Sequence, residues 1–196
     1  MTRIIAGFAG SLSLAVPRSG TRPTSDRVRE AIFSALEARD AVDGGAVLDL
    51  YAGSGALGLE AASRGAAEVV LVEKAKPAAD VCRRNADAVT RAARGHRPRI
   101  RVAMRSVASY LESATGPFDL VFIDPPYATA LAARTLEGLG ATRICRAGTE
   151  VIVQHSTRTT LPIVPGLAPH RRPRQFGDTA LTFLRAEEYT PDGSRP

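Results

Sequence analysis

The chain has 196 residues, 44% hydrophobic and 23% charged, which is typical of one globular domain with a substantial core. It holds no apolar stretch that could span a membrane and no secretion signal, and its two cysteines and three histidines lack disulfide or metal-ligand spacing, so we expect a cytoplasmic protein without a metal. A formal charge of +6 and a pI near 10.0 favour a polyanionic partner, because a basic surface attracts phosphates.

Arginines account for most of the positive charge and concentrate in three stretches. Contact with a nucleic acid is one explanation. Solvated faces are the other, because Lys74 and Lys76 are the only lysines and genome composition can favour Arg throughout. The three stretches are Arg91, Arg94, Arg97, Arg99, Arg101 and Arg105; Arg171, Arg172 and Arg174; and Arg3, Arg18, Arg22, Arg27 and Arg29.

The N-terminal segment predicts a β-hairpin, because residues 3–8 and 12–16 alternate in polarity on either side of Ala9-Gly10-Ser11. A minimal parallel sheet has no place for such a hairpin. We therefore assign residues 1–20 to an extension that acts either as a substrate arm or as an edge or packing element.

A helix is predicted next, over residues 26–38. Thr24 or Ser25 is its expected N-cap, and Val28, Ile32 and Leu36 form its inner face.

Residues 46–50 read as a buried strand that runs into a glycine loop opening a helix. Gly53, Gly55 and Gly58 satisfy G-x-G-x-x-G, which by itself is weak evidence for a dinucleotide site. Asp49 places a carboxylate at the strand end, where a diphosphate would be repelled and a ligand with a cationic amino acid end attracted. A nicotinamide-dependent oxidoreductase stays a rival, disfavoured by Asp49 and by the lack of an obvious proton-relay pair.

A second strand over residues 67–72 ends in Glu73. A carboxylate about 20 residues beyond a glycine loop is the usual partner of the ribose hydroxyls of an adenosine cofactor. The alternative for Glu73 is a solvated surface charge.

The remaining elements alternate between helix and strand, which predicts an open, mostly parallel α/β sheet with ligands beyond the carboxyl ends of its strands. We expect helices over residues 81–89, 106–112 and 131–139, strands over 99–103, 120–123 and 150–154, an Arg-rich loop or frayed helix end over 92–98, and two antiparallel strands within 169–184 joined near Phe176-Gly177-Asp178.

Asp124-Pro125-Pro126-Tyr127 follows the apolar strand, at such a carboxyl end. The nitrogen of an aromatic exocyclic amine attacks poorly until acceptors hold its hydrogens, and the Asp124 carboxylate and the Pro125 carbonyl could be those acceptors. Pro126 stiffens the turn, and Tyr127 offers a face on which a splayed-out base can stack. A Pro-rich turn without chemistry is the alternative.

With these motifs the chain resembles the class I S-adenosylmethionine-dependent methyltransferases, a Rossmann-like α/β fold whose mostly parallel sheet has seven strands. It resembles more narrowly the RsmD family, which methylates a guanine N2 in 16S ribosomal RNA. Nearly the whole chain takes part in the resemblance. The narrower match rests on residues 3–7, 22–33 and 47–58, on Asp124 to Tyr127 and on Phe176-Gly177-Asp178-Thr179.

The resemblance implies roles residue by residue. Asp49, Gly53 and Gly55 would flank the amino acid end of S-adenosyl-L-methionine, Glu73 would bind its ribose, and Asp124 to Tyr127 would receive the guanine. The family commonly has a small polar or acidic residue at the adenine after the third strand. This chain departs from that pattern over residues 102–107, where Ser106 would take that place. The full cofactor set is Thr24 and Arg27 from a closing segment, Asp49, Tyr51, Ala52, Gly53, Ser54, Gly55, Glu73, Lys74 and Ser106.

The implied partner is 16S rRNA within an assembling or assembled small ribosomal subunit, bound by a monomer. Residues 21–187 would form the methyltransferase domain, and residues 188–196 a disordered tail. Phe8 and Phe176 are further candidates for base stacking. Two other functions stay open: methylation of adenine N6 or cytosine N4 in DNA or another RNA, and a basic RNA-binding or assembly factor that has lost its cofactor.

Overall fold

The structure is a computed structural model that describes residues 2–17, 24–37, 42–95, 97–126 and 129–188. Within these ranges the chain forms five helices and ten strands. The helices are α1 (Asp26–Glu37), α2 (Ala56–Ser63), α3 (Lys76–Ala92), α4 (Val107–Glu112) and α5 (Thr129–Gly140). The strands are β1 (Thr2–Arg3), β2 (Ser13–Leu14), β3 (Ala46–Leu50), β4 (Glu68–Val72), β5 (Arg99–Ala103), β6 (Phe118–Ile123), β7 (Cys145–Ser156), β8 (Leu167–Pro169), β9 (Arg174–Phe176) and β10 (Thr179–Ala186).

The main sheet has the order β5-β4-β3-β6-β7-β10-β8, and β9 also pairs with β10. Neighbours from β5 to β7 are parallel, whereas β10 runs antiparallel to β7. The expected mostly parallel α/β sheet is confirmed, with one difference at its edge. Seven strands form the continuous path, and an eighth shares the outer edge of β10, where β8 pairs with its end and β9 with its beginning.

Helices cover both faces of the sheet, because its central strands are apolar on both sides. On one face α1, α2 and α3 pack against residues such as Phe122, whose ring centroid lies 5.8 Å from that of Phe33. On the other face α4 and α5 pack against residues such as Leu48 and Val121. The two buried layers fix the strands whose ends carry the candidate site.

Most predicted elements are present, and the larger differences lie at their ends. Helix α3 begins at Lys76, earlier than expected, because Pro77 is tolerated in the first turn, where its missing N–H would have no helical partner. Strand β7 begins at Cys145 rather than at residue 150, and its pairing with β6 shifts register between Phe118 and Leu120. A pattern of alternating polarity in the sequence does not reveal such a shift in strand pairing.

The N-terminal hairpin is present but much shorter than predicted, because β1 and β2 have two residues each. Between them the backbone binds helix α2: the N–H groups of Ile5 and Ala6 donate to the two carboxylate oxygens of Glu60 at 2.6 and 3.0 Å. The Ala9 N–H donates to Ser63 Oγ at 2.9 Å. The segment is thus a packed part of the domain. Hydrogen bonds from its backbone to α2 take the place of the longer strand pairing that the alternating polarity predicted.

Arg29 corrects one expectation about the arginine stretches. Its side chain is fully buried, and its guanidinium lies 2.6 Å from Asp26 and 3.7 Å from Glu60. One of its nitrogens also donates to the Arg3 carbonyl at 2.7 Å. Arg29 therefore joins α1, α2 and the hairpin and cannot contact a nucleic acid.

The part of the chain that the structure describes contains no helix long and apolar enough to cross a membrane. The expected disordered tail lies outside the described residues except for Glu188.

Candidate active site

Three carboxylates meet at the carboxyl ends of neighbouring parallel strands. Leu50, the last residue of β3, pairs with Val72 on one side and with Ile123 on the other, and each of these is followed by an acid, Glu73 and Asp124. Asp49 lies one residue before Leu50. Residues far apart in sequence thus come together where ligands of open α/β sheets bind.

The glycine loop is shaped by backbone geometry and by close packing. Its turn is closed by a 2.7 Å hydrogen bond from the Gly55 N–H to the Ala52 carbonyl, and Gly53 and Gly55 have φ of 56° and 83°. A Cβ at Gly58 would lie 2.3 Å from Leu71 Cδ2, so glycine lets α2 pack directly on β4. Residues 52–55 of the loop are buried, so the loop is packed closely onto the carboxyl ends of the strands.

Asp49 is buried beneath this loop. Its Oδ2 accepts a 2.9 Å hydrogen bond from the Gly58 N–H in the first turn of α2. Burial raises the pKa of Asp49 to about 7, the Gly58 hydrogen bond opposes that rise, and the negative charges of Asp124 and Glu73 add to it. A cation placed among these carboxylates would be held strongly, because it would relieve their mutual repulsion.

Glu73 anchors the loop from the neighbouring strand. One carboxylate oxygen accepts from the Gly53 N–H at 3.0 Å, and the other accepts from the Ala75 N–H at 2.7 Å. The side chain is half-buried, whereas Lys74 beside it is exposed. Glu73 thus holds a fixed acceptor at the edge of the loop, as a ribose partner must.

Asp124 is connected to the segment before α1. Thr24 Oγ1 donates a 2.5 Å hydrogen bond to Asp124 Oδ2. Burial raises the pKa of Asp124 to about 6, and the Thr24 hydroxyl opposes that rise. Pro125 is half-buried and Pro126 exposed, while Tyr127 lies outside the described residues.

Two other predicted cofactor residues have partners within the protein. Tyr51 adopts φ of 70°, and its hydroxyl lies 2.6 Å from Thr135 Oγ1 on α5, so its side chain is tied to the helix layer. Burial raises the pKa of Tyr51. Ser106 lies just beyond the carboxyl end of β5 and caps α4, with its Oγ accepting from the Ser109 N–H at 3.1 Å. Its hydroxyl hydrogen stays available to a ligand.

The predicted closing segment contacts Asp124 through Thr24 and Phe176 through Arg27. The exposed Arg27 places its guanidinium 5.8 Å from the ring centroid of Phe176, a stacking candidate that is half-buried. Phe8, the other stacking candidate, is an exposed aromatic of the hairpin segment.

Asn85 is a site-supporting residue that sequence reasoning missed. Its buried amide donates to the Ser54 carbonyl at 2.8 Å and exchanges two 2.9 Å hydrogen bonds with the Ala15 backbone. Asn85 thereby ties the glycine loop to the hairpin segment. A polar residue among the apolar positions of a helix was the available signal.

Gln154 is the second missed residue. It follows Val153, which pairs with Ile123, so Gln154 on β7 and Asp124 after β6 occupy the next level of the sheet. Its Oε1 is buried and, within the described residues, has no hydrogen-bond partner. The signal was an amide ending an otherwise apolar strand, and a buried acceptor without a partner is costly unless a ligand completes it.

The chain is similar to known proteins over almost its whole length. Residues 2–185 match the family described as Conserved hypothetical protein 95. The chain is 35% identical over 186 residues to Ribosomal RNA small subunit methyltransferase D of Escherichia coli strain K12, with 94% of this chain and 90% of that protein covered.

Two solved structures share the fold. A hypothetical protein from Thermus thermophilus is 34% identical with a TM-score of 0.79, and the match covers 96% of this chain and 100% of that one. The RNA methyltransferase from Salinibacter ruber in complex with S-adenosyl-L-homocysteine is 17% identical with a TM-score of 0.64, over 87% of this chain and 97% of that one. The latter likeness concerns the fold alone.

Proposed function

The chain belongs to the Conserved hypothetical protein 95 family, the RsmD family of rRNA methyltransferases, and from that membership we propose that it methylates the exocyclic N2 of a guanine in 16S rRNA. The convergence of Asp49, Glu73 and Asp124 at the carboxyl ends of adjacent strands carries the proposal. A glycine loop alone would suit several cofactors. The carboxylate at Asp49 favours a cationic one.

S-adenosyl-L-methionine is the methyl donor, and when bound it supplies a methyl group on a sulfonium cation that departs as a neutral thioether. The described residues fit this cofactor. Gly53 and Gly55 shape the tight loop beside the strand ends, Asp49 offers negative charge to its cationic amino acid end, and Glu73 offers a fixed acceptor to its ribose. Ser106 is proposed at the adenine.

Asp124 and the Pro125 carbonyl are proposed to accept the two hydrogens of the target amine. Holding both hydrogens directs the nitrogen lone pair toward the methyl group. Such positioning supplies most of the rate enhancement, because a transfer with a neutral leaving group needs little covalent help. The proton can leave to water afterwards. Pro126 stiffens this turn and Tyr127 is proposed to stack the base.

Gln154 is proposed to help select guanine. The Watson–Crick edge of guanine carries an N1–H beside its N2 amine, whereas adenine has an acceptor at N1. The unpartnered Gln154 Oε1, level with Asp124 in the sheet, is suited to receive such a donor. The N1–H and N2 amine of guanine would thus face acceptors at Gln154 and Asp124.

The substrate context is proposed to be an assembling or assembled small ribosomal subunit in the cytoplasm, with the enzyme acting as a monomer. The net charge of +6 supports a polyanionic substrate.

The rival functions are less well supported. A curated relative that matches almost the whole chain is named for ribosomal RNA, which does not favour methylation of DNA at adenine N6 or cytosine N4. Family membership argues against the oxidoreductase. The intact acidic cluster argues against a binding factor that has lost its cofactor.

The experiment is transfer of labelled methyl from S-adenosylmethionine to small ribosomal subunits from cells lacking this gene, followed by nucleoside analysis. Label in N2-methylguanosine would establish reaction and substrate class. Label in N6-methyladenosine, or only in DNA offered alongside, would overturn the proposed substrate while keeping the catalytic site.

A further inference from the structure

The segment that leads into β9 runs along one stripe of helix α1. Arg171 Nη1 donates to the Ala35 carbonyl at 2.6 Å, Arg174 Nη1 donates to the Ala31 carbonyl at 3.1 Å, and Phe176 lies under the Arg27 guanidinium. Residues 27, 31 and 35 are four positions apart on the helix, about 6 Å each. Arg27, Arg171 and Arg174 therefore form a line along α1, here called the basic track.

The basic track leads to the catalytic edge of the sheet. Phe176 pairs with Thr179 and Thr179 with Ser156, the last residue of β7, so this end of β9 lies at the carboxyl ends of the parallel strands. Thr24, one turn before Arg27, bonds the Asp124 carboxylate.

The register of the strands places Arg174 level with Asp124, which is proposed to receive the target base. Arg174 pairs with Leu181, and Leu181 pairs with Gln154, which lies at the level of Asp124. Three strand spacings separate β9 from β6, or roughly 14 Å. That distance suits a phosphate a few nucleotides away from a base inserted at Asp124.

The charges of the track are not neutralised by acids. Among the described residues, no ion pair involves Arg27, Arg171 or Arg174, and each guanidinium has five donors of which at most one is used by a helix carbonyl. Arg27 and Arg174 are exposed.

The other arginine stretch is less suitably placed. Arg91, Arg94 and Arg97 precede β5, at the end of the sheet opposite to the catalytic edge. Farther along, Arg99 lies 3.9 Å from Glu68, and Arg105 donates to Ser113 Oγ. Strand β5 is also the edge strand beyond the cofactor side, on the far side of β3 from Asp124.

We propose that the basic track binds the sugar-phosphate backbone of the RNA next to the target nucleotide, while Asp124 receives the base. This inference rests on the proposed function. Arg contacts to phosphate are charge-assisted and geometrically specific, and they position a strand without reading its sequence. The track would thus set which nucleotide reaches the catalytic turn.

The test compares two double variants that lose the same charge. Arg171→Gln with Arg174→Gln removes both charges and leaves a shorter, neutral amide donor at each position, and Arg94→Gln with Arg97→Gln is the matched control. The substrate is the small subunit from cells lacking this gene. We expect the track variant to raise KM about tenfold or more, and the control variant to change KM by less than about twofold. The slope of log affinity against log salt concentration should become shallower by about one for each lost phosphate contact.

Arg174→Lys should keep KM much closer to the wild-type value than the double glutamine variant does, because a lysine still attracts phosphate. Hydrogen exchange of the wild-type protein gives a measurement free of variant folding: bound rRNA should slow exchange in residues 171–176 more than in residues 99–105. Equal KM in both double variants, or no protection at residues 171–176, would overturn the track.

Failure of the track is distinguishable from failure of the proposed function. If the wild-type protein and the track variant methylate rRNA equally well, only the role of the basic track is disproved. If the wild-type protein transfers no methyl to rRNA, both the track and the proposed function are disproved. A variant effect on subunits that is missing with protein-free rRNA would assign the track to a ribosomal protein and overturn the RNA contact.

Discussion

Thr24 Oγ1 donates a 2.5 Å hydrogen bond to Asp124 Oδ2, across 100 positions of sequence. This bond joins the segment before α1 to the turn after β6. It lowers the pKa of Asp124 against the rise caused by burial. The N-terminal segment therefore acts on the charge of the carboxylate that is proposed to orient the target amine.

Thr24→Val should remove that hydrogen bond and raise the pKa of Asp124 above about 6. Turnover requires the ionised carboxylate, so the acid limb of the kcat/KM profile should move to higher pH. A pH–rate series from about 5 to 8.5 measures the shift. Thr24→Ser keeps the hydroxyl and should follow the wild type, and an unshifted limb in the valine variant would disprove the coupling.

Asp124→Ala should abolish methyl transfer while cofactor affinity stays within a few-fold. The carboxylate is proposed to hold the amine, which has no other anionic acceptor at this turn. Titration calorimetry with S-adenosylmethionine and a single-turnover assay separate the two effects. A large loss of cofactor affinity would count against this role.

Cofactor binding should depend on Glu73 and on the ionisation of Asp49. Glu73→Ala should weaken cofactor affinity most, since it removes the proposed ribose acceptor and the anchor of the Gly53 N–H. Calorimetry on this variant measures the change. Unchanged affinity would remove Glu73 from the ribose site.

The pH dependence has opposite signs for stability and for binding. Burial raises the pKa of Asp49 from 3.8 to about 7, so its contribution to the stability of the free protein is full below pH 3.8 and is lost as pH rises through about 7. Affinity for the cationic cofactor should instead increase through that window. Asp49→Asn should flatten the increase, and an equally steep rise in this variant would show that another group titrates.

Arg29→Met should destabilise the fold by about 3 kcal/mol, because it leaves the buried Glu60 without one of its cationic neighbours. Urea unfolding measures the loss, and the exposed Arg99→Gln is the control, expected within about 0.5 kcal/mol. Binding of rRNA by the fraction that stays folded should be unchanged. Weaker RNA binding without a loss of stability would contradict the buried role.

The fold could be predicted because its signals are local. Apolar runs ending in Asp49, Glu73 and Asp124 mark carboxyl ends of strands, and the alternation of strands with helices forces those ends to one edge. The acids could be assigned to one site before any coordinates.

Long-range hydrogen bonds could not be predicted in the same way. Glu60 lies in α2, an apolar helix whose residues are all buried, and nothing in this sequence indicates that the carboxylate accepts from Ile5 and Ala6. Arg29 looks like a surface charge until the structure buries it. Tyr51 stands in the cofactor loop, yet its hydroxyl is bound to Thr135 on α5. Such hydrogen-bond partners depend on how the helices and strands pack against one another, and the periodicity of the sequence does not determine that packing.

Gln154→Leu should change activity and stability in opposite directions. In the described structure Gln154 Oε1 is buried without a partner, so an apolar side chain should leave the free energy of unfolding unchanged or raise it slightly. If the oxygen accepts from guanine, the variant leaves that donor unpaired, which costs about 1–3 kcal/mol and lowers kcat/KM for the subunit roughly 5- to 150-fold. Cofactor affinity should not change.

The matched control is Gln175→Leu on β9, an exposed glutamine whose amide donates to the Gly177 carbonyl at 3.2 Å. It should leave the free energy of unfolding within about 0.5 kcal/mol. Urea unfolding and steady-state kinetics on both variants separate the roles, because a structural glutamine would lose stability and a substrate-binding one would lose activity. A destabilised Gln154→Leu protein with unchanged kcat/KM would exclude the base contact, and the N1–H of guanine would then need another acceptor.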